Sequence, residues 1–368
     1  MSLGPGRVYV IGAGAIGASV GAMLYETGVD VAFVVDPSRG PHARALAERC
    51  VDLRFPTSGR RVVVPTVPNA TPSAEDLVIL ATMGHHTADA LAGLDPEVPV
   101  ASFQNGVTPL QILVQRGHPT LAAMVWIPAE RREPGVIALP GVPGPGTVIL
   151  GPWTGPRAVH EPVAHGPHSR QRASQRSVQR RVRGRVVLER WAHGVGTPTS
   201  GPAGLAEWLA SRLQAAGFTA EAEPDIAPWI RAKQLVNLGG IVVALCDQPP
   251  EDVIAAAQQE AAAVWTAAGL PFRTAAELLE RVGPLETVPV DGRERRGGST
   301  RSALARGDEL ETASLHGDVV QLGRTSGVPT PVNAALVAVA ARAVAERRAP
   351  GSMSAAELRD ELQRFTVA

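Results

Sequence analysis

The sequence predicts an α/β protein: an amino-terminal domain with a parallel sheet covered by helices, followed by an all-helical carboxyl-terminal domain. Three observations carry this. A glycine-rich turn joins a β-branched run to a small-residue helix at the start of the chain. Short apolar runs then alternate with helical stretches to about residue 155, the rhythm of βαβ units. From Gly201 onward helical periodicity persists without an evident strand.

Residues 7–12 (RVYVIG) read as the first strand, and the stretch from Ala15 to Glu26 as the helix after it. Val31 to Val35 is a second strand ending on Asp36, and further strands are expected at Val62 to Val64, Leu77 to Leu80 and Val98 to Ser102. Helices are expected at about 40–50 and 86–92. Residues 135–151, bounded by glycine and proline, read as a hairpin that closes a first domain at 1–156. The segment 157–200 changes character: eight arginines stand between Arg170 and Arg190 against one acid, Glu189, with no clean period. It reads as a solvated, disordered insertion, because too little apolar material is present to offset the entropy of ordering it. A basic arm can also bind nucleic acid through phosphates, the weaker reading of this segment. The third region, 201–368, reads as helices at 203–217, 226–245, 250–268, 274–282, 300–324 and 333–348, with a last one opened by a Ser354 and Glu357 capping box.

Composition narrows the classes. The 368 residues hold 35 basic and 35 acidic side chains, a formal net charge of zero, which argues against a polycation that coats nucleic acid or an anionic membrane. No apolar stretch reaches the length of a membrane span and none precedes the first strand, so a soluble cytoplasmic protein is expected. Cys50 and Cys246 are isolated, and no compact His or Cys ligand set appears, so neither a disulfide framework nor a metal is expected. Within the basic residues one asymmetry stands out: Lys233 is the only lysine. An ammonium can give up a proton where a guanidinium cannot, which makes that position a chemical candidate.

Gly12-Ala13-Gly14-Ala15-Ile16-Gly17 lies between the first strand and helix. There the first glycine allows the tight turn, the second the approach of a pyrophosphate to the backbone, and the third close helix-to-strand packing, while the helix amino end presents free N–H groups. This predicts a Rossmann-like dinucleotide-binding domain. Asp36, at the end of the second strand, is placed to accept from an adenosine ribose, and its charge would repel a 2′-phosphate, so NADH is favoured over NADPH. Arg39 is near enough to moderate that repulsion. A flavin can use the same turn.

In 229–246 (WIRAKQLVNLGGIVVALC), Lys233 and Asn237 are four residues apart and share one helix face, which can look into a cleft or simply pack. A second cluster runs from Gly297-Gly298-Ser299-Thr300 to Glu311, and a third is Gly327-Val328-Pro329-Thr330-Pro331-Val332-Asn333. Taken in order with GAGAIG at 12–17 and Gln104-Asn105-Gly106, these motifs resemble the ketopantoate reductase (2-dehydropantoate 2-reductase) family over roughly 1–155 and 201–345. The resemblance implies hydride transfer from NADH or NADPH to the carbonyl of a small 2-oxo acid in an interdomain cleft. It implies Lys233 as proton donor, Glu311 on the substrate hydroxyl, Ser299 on its carboxylate, Asn237 on a substrate polar group, and Asn105 positioning nicotinamide or substrate.

The chain departs from the family pattern near this chemistry. Met83 replaces a lysine after the fourth strand, Asp36 a basic residue, Ile241 a second asparagine, Arg296 an asparagine before the serine, and Ala303 an acid. An apolar group cannot replace an amide that bonds substrate. The resemblance therefore speaks for reductase chemistry more than for ketopantoate itself. A paralogous reductase of another carbonyl compound, or a nucleotide-binding protein with impaired turnover, are the alternatives. The forked guanidinium of Arg296 can also read a carboxylate. A helical carboxyl-terminal domain can form a homodimer interface.

Overall fold

The computed structural model describes residues 4–155, 201–295 and 297–366, so the expected arginine-rich insertion and Arg296 lie outside the described residues. The first part comprises β1 (Val8–Ile11), α1 (Ala15–Glu26), β2 (Val31–Val34), α2 (Pro41–Glu48), β3 (Val51–Arg54), β4 (Gly59–Val62), β5 (Thr66–Val67) and β6 (Leu77–Leu80). It continues with α3 (Thr87–Ala90), β7 (Val100–Ser102), α4 (Thr108–Gln115), β8 (Thr120–Trp126), β9 (Glu130–Glu133), β10 (Val136–Ala138), β11 (Gly141–Val142) and β12 (Thr147–Pro152). The second part comprises α5 (Gly201–Ala215), β13 (Thr219–Ala222), α6 (Ala227–Leu238), α7 (Gly240–Leu245), α8 (Glu251–Ala267) and α9 (Ala275–Val282). It ends with β14 (Glu286–Thr287), α10 (Ser299–Arg306), α11 (Thr312–Ser326), α12 (Pro331–Ala345) and α13 (Ala355–Thr366).

An eight-stranded sheet in the order β13-β12-β8-β7-β6-β1-β2-β5 forms the frame. β1 pairs in parallel with β2 on one side and β6 on the other, so the strand order reverses at β1. In a sheet of this kind the crevice at such a reversal is the natural ligand site. Helices cover both faces. Val10, Val20, Leu24 and Phe33 pack with Leu205, Leu209 and Leu213 of α5 on one side, while Val78, Leu80, Val100, Leu91 and Leu113 close the other. That two-sided burial explains the unbroken apolar run LVIL of β6. The fold class is as expected: a Rossmann-like α/β domain followed by a largely helical region, with its own core around Ile241, Leu245, Leu336, Val339 and Leu358.

Several elements differ from the sequence reading. Residues 135–151 are no hairpin: β10 joins a small sheet with β3 and β9, β11 pairs with β14, and β12 pairs with β8 and β13. The glycines and prolines there carry the chain between three sheets. The run from Gly201 does not open a separate helical unit either. α5 packs on β12 and β13, and β13 extends the main sheet by pairing in parallel with β12. The sequence TAEA alone offers no strand signal; the free edge of β12 makes it one. The expected strand at 62–64 meets β4 only at Val62, and Val63 and Val64 lie between β4 and β5. Two long helices are broken, one at Gly239 and one after Gly307, whose left-handed φ of 69° ends α10.

The two parts are joined by buried polar contacts. Asp318 of α11 accepts from the backbone N–H of Thr108 at 3.2 Å and pairs with its hydroxyl, at the start of α4. Burial pushes the Asp318 carboxyl up to about 6, against these hydrogen bonds that favour its ionised form. A carboxyl raised above its unfolded value holds its proton longer in the native state, so its contribution favours folding at low pH and is lost as pH rises through 6. Wild type is therefore expected to lose about 2–3 kcal/mol relative to Asp318→Asn between pH 4 and pH 7. Urea unfolding of the two proteins across that range measures this, and a pH-independent difference between them would count against it.

Candidate active site

The turn after β1 shows how three glycines divide the work. Gly12 has φ +94°, and a Cβ there would lie 2.5 Å from the backbone nitrogen of Thr82. On Gly17 a Cβ would lie 2.2 Å from the carbonyl of Gly12, so α1 can sit this close to β1 only without a side chain. A Cβ on Gly14, in contrast, would meet nothing within 4 Å. Gly14 caps α1 without a side-chain bond, and it lines the cleft with Ala15 and Ile16, whose N–H groups belong to the first turn and have no partner within the helix. An open approach to free helix N–H groups is what a diphosphate requires, so the residues present fit a dinucleotide.

Two further groups complete this end. Asp36 lies at the end of β2, where its Oδ1 accepts from the backbone N–H and hydroxyl of Ser38 at 2.9 and 2.7 Å. These bonds, with a smaller contribution from Arg39, hold its carboxyl below the usual range, and Arg39 lies 3.6 Å away. His42, which the sequence reading missed, braces the turn: its Nδ1 accepts from the N–H of Gly135 at 3.0 Å, so Nε2 is the nitrogen that donates to the carbonyl of Ala13 at 2.8 Å. Burial lowers its pKa, which keeps the ring neutral in this bridging tautomer. No sequence motif announces it.

A single cleft of about 2090 Å³ runs from Gly12, Gly14 and Asp36 past Asn105 and Trp126 to Lys233, Asn237 and Ser299. Lys233 is brought there because α6 packs against β8: Ile230 and Ala232 join Met124, Ile149 and Trp153 in one apolar cluster. Its ammonium lies 4.0 Å from the centre of the Trp126 ring. Burial, and then repulsion from Arg295, lower the Lys233 pKa to about 7. Trp126 and Arg295 were not singled out from the sequence; both follow apolar or charged runs with no distinguishing spacing. Trp229, quoted in the motif, instead lies beneath Arg281 and Arg273.

Behind the cleft a hydrogen-bonded chain crosses the domain junction. The amide of Asn237 donates to Oδ1 of Asn105 at 3.0 Å, Asn105 donates to Oε2 of Glu311 at 2.9 Å, and the N–H of Gly84 donates to Oε1 at 3.1 Å. Glu311 is buried, at the amino end of α11, and does not line the cleft. Its expected partner is a substrate hydroxyl; here its two oxygens accept from Gly84 and Asn105 across the junction, and the break at Gly307 puts it on a different helix from Ser299. Gln104 anchors the same loop by donating to the carbonyl and hydroxyl of Thr82 at 3.1 and 2.9 Å. Ser299 is exposed at the start of α10 and lines the cleft.

Of the departures noted above, Met83 and Ala303 line the cleft. Ile241 does not; it is 2% exposed in the helical core, because Gly239 redirects the chain after Asn237. The segment 327–333 is a structural motif. Asn333 accepts from Nδ1 of His316 at 2.8 Å and donates to Glu260 at 2.7 Å, and Glu260 also accepts the N–H groups of Val332 and Asn333 at the start of α12. No helix among the described residues is long and apolar enough to cross a membrane, and no cluster there could hold a metal ion.

Comparison with known proteins follows the same outline. The chain matches the family "ketopantoate reductase PanE/ApbA" over residues 8–155 and its C-terminal counterpart over 239–343. It is 26% identical over 345 residues to 2-dehydropantoate 2-reductase of Archaeoglobus fulgidus, covering 90% of this chain and 95% of that one. Against the enzyme of that name from Pyrococcus horikoshii it is 28% identical over 203 residues, 54% of this chain and 63% of the relative's length. In Pyrococcus abyssi the matched share of the relative is 47%. Among solved structures, a PanE/ApbA family ketopantoate reductase of Ralstonia eutropha superposes with TM-score 0.65 at 21% identity, covering 93% of this chain and 99% of that one. D-mandelate dehydrogenase with NADH and anilino(oxo)acetate gives 0.63 at 18%, with the same coverage, a likeness of fold.

The contrast between Gly14 and Gly17 is testable. Gly14→Ala is expected to fold within about 1 kcal/mol of wild type and to lose about tenfold or more in NADH affinity, whereas Gly17→Ala destabilises the fold by about 2–4 kcal/mol. Thermal unfolding and NADH titration of both variants decide it; equal NADH affinity in Gly14→Ala and wild type would contradict the assignment of the turn.

Proposed function

The chain belongs to the ketopantoate reductase family, and from that premise we propose that it is an NAD(P)H-dependent reductase of a small 2-oxo acid, with NADH preferred. The observation that carries the reading is the continuity of one cleft from the glycine turn to Lys233 and Asn237. The turn, with N–H groups from the start of α1, would hold the diphosphate, and Asp36 the adenosine ribose. Asp36 is kept ionised by Ser38, so it also disfavours a 2′-phosphate. Arg131, which lines the cleft and has a guanidinium pKa lowered by burial and then by Arg306, supplies positive charge on the same wall.

A bound reduced nicotinamide supplies hydride to the carbonyl carbon. As that carbon becomes tetrahedral, its oxygen gains negative charge and needs a proton. Lys233 donates it from Nζ, and the ring of Trp126 holds that atom in place while favouring its charged form. Asn237 and Asn105 orient the substrate, and Glu311 acts by holding Asn105 rather than by touching substrate. Ser299, exposed at the cleft rim, is positioned for a substrate polar group. Met83 and Ala303 leave this wall of the cleft without the cation and carboxylate that the family pattern has there. This favours a 2-oxo acid other than ketopantoate as the physiological substrate.

Two outcomes follow. A proton donor must be charged, and a lysine with a pKa near 7 is half charged there; kcat/KM for reduction is expected to fall about tenfold per pH unit above 7. Lys233→Ala should lower the rate by about 10²–10⁴ and abolish that limb; a variant with wild-type rate and profile would remove Lys233 from the mechanism. For the cofactor, Asp36→Ser is expected to raise kcat/KM with NADPH by about 10- to 100-fold over wild type. Steady-state rates with both cofactors test it, and a wild type that prefers NADPH would contradict the role of Asp36.

A further inference from the structure

We propose that Arg295 is a specificity-determining residue: it pairs with the carboxylate of the bound 2-oxo acid, and that pairing lifts its repulsion of Lys233. The proposal rests on the reductase reading above. Arg295 lines the cleft together with Lys233, Asn237 and Ser299. The loop that carries it is fixed to the Rossmann-like domain at several points. β14 pairs with β11, the N–H of Val288 donates to the carbonyl of Pro140 at 3.0 Å, and Arg132 donates to the carbonyl of Arg293 at 3.1 Å. A side chain on this loop is therefore held in place relative to the sheet.

The guanidinium has no carboxylate of its own among the described residues. Glu130, the acid that acts on it electrostatically, is bound by Arg132 at 2.9 Å. Acids on the other elements around α6 are engaged as well: Glu311 with Gly84 and Asn105, Asp318 with Thr108, Glu260 with the start of α12, and Glu221 and Glu223 with Arg281 of α9. His316, the histidine packed near the end of α6, is held neutral by burial with its pKa down to about 4. Among the described residues, Arg295 is the charged group that lowers the pKa of Lys233, and burial already lowers its own pKa. A half-buried guanidinium that shares the cleft with the Lys233 amine is unfavourable until an anion arrives, and its fork matches a planar carboxylate.

A 2-oxo acid carries a carboxylate next to the carbonyl, so it offers one group to each cation. When the carboxylate neutralises Arg295, the Lys233 amine takes a proton from solvent, then passes it to the carbonyl oxygen as hydride reaches the carbon. The hydroxy acid leaves with both, and the amine is again neutral. Above pH 7, where the free amine is mostly neutral, a neutral ketone or amide brings no such charging, so the anion is favoured because it charges its own proton donor.

The test compares 2-oxobutanoate with its uncharged amide, 2-oxobutanamide, in wild type, Arg295→Gln and Arg295→Lys, with NADH across pH 6–9. Oxamate binding to the NADH complex is followed calorimetrically in buffers of different ionisation enthalpy. Wild type should prefer the acid and take up protons on binding oxamate at pH 8. In Arg295→Gln the KM for the acid should rise about 10- to 100-fold, with kcat at pH 6 changed less, and the preference over the amide should collapse. Its basic limb should also move to higher pH, and Arg295→Lys should restore part of the preference. Wild type that reduces acid and amide equally, binds oxamate without proton uptake, or is matched by Arg295→Gln in preference and profile would overturn the proposal while leaving the reductase reading intact. Wild type that reduces neither compound nor any other 2-oxo acid would overturn both.

Discussion

The structure turns on one buried carboxylate. Glu311 sits at the domain junction, where an unpaired charge would be strongly unfavourable, and it is satisfied from the opposite domain by the N–H of Gly84 and the amide of Asn105. Fixing Asn105 leaves its carbonyl oxygen free to accept from Asn237 on α6. Asn237 is one helical turn from Lys233, so the buried Glu311 carboxylate is linked through two amides to the helix that carries the cleft lysine. Asp318 with Thr108 provides a second junction contact one helical turn or more further along α11. Together they make the relative position of the two domains a matter of hydrogen-bond satisfaction as well as apolar packing.

The same logic explains why Lys233 differs from a surface lysine. A buried glutamate beside Lys233 would keep its ammonium charged unless desolvation won. Glu311 is committed elsewhere, and the group that does act on Lys233 is a cation, Arg295, so burial and repulsion work in the same direction. The Trp126 face opposes them, since an aromatic ring favours the charged form. The outcome is an amine whose protonation is balanced near neutrality, as suits a group that must give a proton and recover it.

What the sequence made legible was chemistry tied to backbone geometry. GAGAIG could be read because only glycine tolerates the contacts at Gly12 and Gly17, and helical spacing placed Lys233 and Asn237 on one face. The fold class followed from apolar runs that a doubly covered sheet requires. Long-range pairing was not legible. TAEA became a strand only because β12 had a free edge, and 135–151 looked like a hairpin because glycine and proline mark turns without saying which sheet comes next. The same limit hid the partners of the site. His42, Gly84, Trp126 and Arg295 are separated from the groups they serve by tens to hundreds of residues, and Ile241 reads as a cleft residue until Gly239 redirects the chain.

The chemistry of the cleft depends most on the state of Lys233, and the composition offers a direct view of it. Because the chain has one lysine, protein labelled with ¹³C at lysine Cε gives a single side-chain resonance. Titrated by NMR, that resonance is expected to shift with a midpoint near pH 7. A midpoint near 10.5, the ordinary value for a lysine, would show an ammonium that remains charged throughout, and would contradict the proposed balance at the centre of the cleft.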